Sequence, residues 1–206
     1  MAMPGITNTS VTDHMIDVCE ERADALAIID LEDDYIPAHE STATEANRKP
    51  DVDTAVQKLK NRQINSSYGA AYYPFVQIRD SLANQLLFVP PSVVGLGTLS
   101  YSESVRDVWF APAGFTRGGL SDGKIGFPVV GVKHQLTSEE RDKLYEVNVN
   151  PIAKFPREGI VVFGQKTLQL RPSALDRVNV RRLMITVKKF IASSSRFLVF
   201  EQNTSA

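Results

Sequence analysis

The chain has 206 residues, of which 43% are hydrophobic and 23% charged, so it can bury a sizeable core and has an ordinary globular composition. Its formal net charge of -1 excludes an overall field that would recruit nucleic acid or an anionic membrane. Cys19 is the only cysteine, which excludes an intrachain disulfide and fits a reducing compartment. The sequence has no apolar run near the roughly 18 residues of a membrane span and no signal-peptide pattern, so we expect a soluble intracellular protein.

Helices and strands alternate along the predicted chain. Capping residues and helical spacing predict helices over residues 10–22, 51–63, about 92–107, 137–150 and 176–193. Apolar and aromatic runs predict strands over residues 25–30, 68–78, 85–89 and 159–164. The acidic segment 31–50 is expected to be a mobile loop, and the glycine- and proline-containing segment 109–136 is expected to be irregular.

This order of elements predicts a mixed α/β fold, in which helices flank a layered sheet and an antiparallel hairpin is added. We expect residues 1–206 to form mainly one domain. The last predicted helix carries an apolar stripe at helical spacing, and we expect this stripe to pack on the core.

Charged residues are distributed unevenly. Twelve acidic residues lie between Asp17 and Asp53, against three basic ones. Six basic residues lie between Arg171 and Lys189, against Asp176 alone. The asymmetry fits either two solvated faces of different charge or a bipolar surface suited to pairing with other copies. Composition leaves both interpretations open.

The residues form no catalytic or ligand-binding constellation that would support an enzyme. His14, His39 and His134 are scattered and lack metal-binding spacing, so we expect no metal and no cofactor. The strand over 26–30 resembles one that places a magnesium-binding carboxylate in nucleotide hydrolases, but the GxxxxGK[ST] loop is absent. The basic run 177–182 lacks the interleaved aromatic residues typical of nucleic-acid binding. An α/β nucleotide-binding or hydrolytic enzyme and a nucleic-acid-binding module remain the alternatives.

Three blocks in the C-terminal third carry a resemblance to a known family. Residues 159–168, 177–183 and 200–203 read GIVVFGQKTL, RVNVRRL and FEQN. In this order they resemble the G-x-x-x-W/F-G-x-x-T-L, x-V-N-V-R-R-L and F-E-P-N blocks of the sheath proteins of contractile phage tails and related injection systems. Shorter stretches that resemble the same family are CE at 19–20, YYPF at 72–75, VPPS at 89–92, VWFAPA at 108–113 and NVNPI at 148–152. Phe110 and Gly114 depart from the family's V-W-K-A-P-A-N pattern.

The resemblance implies a structural subunit with a sheath core domain. Such subunits stack as sixfold rings around an inner tube and contract to drive the tube through the host envelope. The implied partners are other sheath copies, the tail tube protein, and the baseplate and tail terminator proteins, with no nucleic acid and no membrane insertion. The implied location is the virion tail, after assembly in the cytoplasm of the bacterial host. Because family members carry N- and C-terminal arms, we expect this chain to be a core fragment without them.

The charge asymmetry and the resemblance together predict a subunit interface. Basic side chains near the start of the last helix would face acidic side chains of a neighbouring copy. The candidates are Arg177, Arg181 and Arg182 on the basic side, and Asp30, Glu32, Asp33 and Asp34 on the acidic side.

Overall fold

The computed structural model describes residues 1–32, 51–80 and 83–201, which form two β-sheets with helices packed against them. The helices are α1 (Thr9–Arg22), α2 (Val52–Arg62), α3 (Pro91–Val105), α4 (Gly114–Arg117), α5 (Ser138–Glu146) and α6 (Val178–Ser194). The strands are β1 (Ala27–Ile29), β2 (Gly69–Tyr73), β3 (Val76–Arg79), β4 (Leu86–Val89), β5 (Val129–Val132), β6 (Val149–Phe155) and β7 (Gly159–Val162). The mixed α/β fold class with an antiparallel hairpin is confirmed.

The larger sheet has the strand order β1-β2-β6-β7. The first three strands are parallel, and β7 runs antiparallel to β6. Every residue of β1 and β2 is buried, which is typical of parallel strands covered on both faces. The continuous apolar run over residues 25–30 therefore predicted β1 correctly.

The smaller sheet is antiparallel, with the order β4-β3-β5. The β3–β4 hairpin confirms the predicted antiparallel hairpin. The single strand expected over 68–78, however, is divided between the two sheets. The division falls at Pro74, which follows a cis peptide bond and has no N–H to donate to a strand ladder.

Two further differences from prediction concern segments rich in proline, glycine or asparagine. The stretch 109–136, expected to be irregular, contains α4 and β5. Strand β6 was not predicted, because Asn150 and Pro151 interrupt its apolar pattern. Residues 33–50, which hold most of the expected mobile loop, lie outside the described residues.

The side chain of Asn150 links the chain after β7 to the larger sheet through hydrogen bonds. Its side-chain Nδ2 donates to the carbonyl oxygens of Ala71 (3.0 Å) and Lys166 (2.8 Å), and its Oδ1 accepts from the Lys166 N–H (2.5 Å). A Cβ at Gly164 would lie 3.0 Å from Asn150 Oδ1, so glycine permits this close approach. The N-V-N-P-I and F-G-x-x-T-L blocks are therefore two halves of one buried contact.

Candidate subunit interface

Asp30 lies at the end of β1, and its carboxylate points into the protein. Oδ1 accepts from the Ser92 N–H (2.9 Å), while Oδ2 accepts from the Ser92 hydroxyl (2.7 Å) and from the Gly5 N–H (2.9 Å). Burial raises the pKa of Asp30, and these hydrogen bonds act in the opposite direction. The prediction that Asp30 faces a neighbouring copy is wrong, because its side chain is buried and joins the N-terminal segment to the start of α3.

Glu32 is the described acidic candidate that keeps solvent contact. Its Oε2 lies 3.6 Å from the Lys58 Nζ, and it borders a cavity of about 330 Å³ between α1 and α2. Since both side chains of this ion pair are partly exposed, the pair adds little stability and leaves Glu32 accessible. Asp33 and Asp34 lie outside the described residues.

Arg181 faces the core of its own chain, in contrast to the prediction. Its guanidinium lies over the Tyr68 ring, 4.0 Å from the centroid, and donates to the Ser67 hydroxyl. The residue is only 7% exposed. A cation over an aromatic face in a desolvated site is stabilising, which gives this buried arginine an intramolecular role.

Arg177 and Arg182 also have partners within the chain. The Arg182 Nη2 donates to Glu103 Oε2 at 2.6 Å and so joins α6 to α3. The Arg177 Nη1 donates to the Tyr145 hydroxyl at 2.6 Å, while its Nε lies 3.3 Å from Asp176 Oδ1. Arg177 retains a partly exposed side chain, so it is the basic candidate that can still reach a neighbour.

Replacing Arg181 by alanine is expected to lower the free energy of unfolding by about 2 kcal/mol, because the cation–π contact and a buried hydrogen bond are both lost. Urea denaturation followed by circular dichroism measures this change. Lys188→Ala is the matched control, since it removes an exposed charge from the same helix and should change stability by less than about 0.5 kcal/mol. Equal stabilities of the two variants would contradict the buried role.

Helix α6 is oriented with its predicted apolar stripe outward. Its core-facing side carries Val178, Arg181 and Ile185, which are buried. The opposite side carries six apolar residues at helical spacing, which we call the α6 stripe: Val180, Leu183, Met184, Val187, Phe190 and Ile191. Of these, Met184, Val187, Phe190 and Ile191 are exposed and the other two half-buried. The prediction that the stripe packs on the core is wrong.

A second surface feature, which the sequence analysis did not single out, is a cluster of three phenylalanines, of which Phe115 and Phe163 are exposed and Phe155 is half-buried. The ring centroid of Phe155 lies 5.2 Å from that of Phe115 and 4.9 Å from that of Phe163. The Arg141 guanidinium lies 5.0 Å from the centroid of the Phe155 ring. A cavity of about 400 Å³ borders Phe163. These rings come from separate parts of the chain, so no local pattern could have identified the cluster.

The described residues place no group of three or more histidine, cysteine, aspartate or glutamate side chains where they could hold a metal ion. Within the same ranges, no helix is long and apolar enough to cross a membrane. The described residues form a buried sheet core, with apolar and charged side chains exposed around it.

Solved structures define the class of fold. A chain from the baseplate of the anti-feeding prophage matches with a TM-score of 0.68 and 22% identity, over 96% of this chain and 44% of that one. A chain from the contracted sheath complex of the PVC extracellular contractile injection system matches with a TM-score of 0.67 and 24% identity, over 93% and 46%. A chain from the contracted helical sheath of the anti-feeding prophage gives 0.66 and 23%, over 98% and 48%. The chain therefore has the fold found in contractile injection machines.

Curated relatives agree with this likeness in sequence. The tail sheath protein of Vibrio phage KVP40 is 31% identical over 145 residues, which cover 70% of this chain and 21% of that protein. The tail sheath protein of Enterobacteria phage T4 is 30% identical over the same coverage, and that of Salmonella phage ViI is 28% identical over 90% of this chain and 29% of its own. No family model matches the chain. The chain is thus similar to a part of phage tail sheath proteins, and it spans about a fifth of the length of the first two relatives.

Proposed function

We propose that this chain is part of a structural subunit that polymerises into a contractile phage tail sheath around the tail tube. Contraction of that sheath drives the tube through the host envelope. The observation that supports this most directly is the joint match to tail sheath proteins in sequence and to contractile sheath chains in fold. The same relatives favour a structural protein over the nucleotide-binding or hydrolytic enzyme and over the nucleic-acid-binding module.

The proposed partners are other copies of the subunit and the baseplate, followed by the tail tube and tail terminator proteins. The proposed location is the virion tail, assembled in the host cytoplasm. A sheath subunit must keep its shape while contacts between subunits change, because the energy of contraction is stored in the packing of rigid bodies. The hydrogen bonds to the buried Asp30 carboxylate and those of the Asn150 side-chain amide fit this requirement, since both sets join distant parts of the chain.

Arg177 and Glu32 are the predicted interface residues that we retain for contacts between copies. Both side chains are partly exposed, and their partners in the chain leave part of each surface accessible. Each such contact is worth only about 0–1 kcal/mol. Repeated over many subunits, these contacts would favour either the extended or the contracted arrangement of the sheath.

Electron microscopy tests this function directly. The protein, expressed alone at its full natural length, is expected to form hollow tubes of sixfold symmetry. Soluble particles without tubes, under conditions where the protein is folded, would overturn the proposal. Arg177→Glu is expected to reduce the number of tubes, whereas Arg157→Glu, a charge reversal at a different site, serves as the control.

A further inference from the structure

We draw no further inference here: the strongest candidate, the cavity of about 400 Å³ between α5 and the exposed ring of Phe163, carries nothing, because nothing in the structure shows what covers it and the opposite charges of Arg141 and Asp142 on its wall select no one partner.

Discussion

Replacing Asp30 by alanine is expected to destabilise the protein by about 3 kcal/mol, because two buried donors of Ser92 and the partly buried Gly5 N–H lose their acceptor at once. The Ser92 N–H and hydroxyl and the Gly5 N–H all bond to this carboxylate over 2.7–2.9 Å. Ser92 is only 1% exposed, so its two donors cannot reach bulk water without moving the first turn of α3. Urea denaturation at neutral pH measures the change in the free energy of unfolding.

Two controls separate the loss of the hydrogen bonds to the Asp30 carboxylate from a general effect of removing a charge. Asp17→Ala removes an exposed carboxylate from α1 and should shift stability by no more than about 0.5 kcal/mol. Asp30→Asn keeps the shape but turns one acceptor into a donor that faces another donor, so it should recover only part of the loss. A cost below about 1 kcal/mol for Asp30→Ala would show that the three bonds do not hold these segments together.

The position of Asp30 shows where sequence reasoning reached its limit. A carboxylate after a buried strand predicts a surface loop, since ionised groups are rarely buried without partners. Whether this one turns inward depends on Gly5 and Ser92, which lie 25 and 62 residues away. The strand itself was predictable, because its continuous apolar run is a local property.

The extent of helix α6 could be predicted from the sequence, but its orientation could not. Its extent was predicted within two residues at each end, because periodicity specifies a helix. Its orientation was not, because periodicity identifies an apolar face without saying what covers that face. The core-facing side uses Val178, Ile185 and an arginine stacked on Tyr68, a combination that resembles a polar face when read along the sequence.

The two errors at the candidate interface have one cause. Arg181 and Asp30 carry charges whose partners are distant in sequence, so both were assigned to the surface. Because Arg181 faces the core, Met184, Val187, Phe190 and Ile191 are left exposed on the other side of α6.

Replacing Asn150 by alanine is expected to cost about 3 kcal/mol of stability, because its amide satisfies three main-chain groups in a fully buried site. Two of these groups belong to Lys166 and the third to Ala71, so the loss uncouples the segment that leads to α6 from the sheet. Chemical denaturation measures the loss. Amide hydrogen exchange should locate increased opening at the Lys166 N–H.

Asn148→Gly is the matched control for this prediction. The Asn148 side chain donates one hydrogen bond, to the Gln169 carbonyl oxygen at 3.0 Å, and its backbone has a positive φ of 65° that glycine adopts without strain. We therefore expect a cost of about 1 kcal/mol, one bond instead of three. If both variants lost the same free energy of unfolding, the hydrogen bonds of the Asn150 amide would not be what holds the chain after β7 against β6. The ratio of the two losses thus tests whether the N-V-N-P-I block acts through its second asparagine.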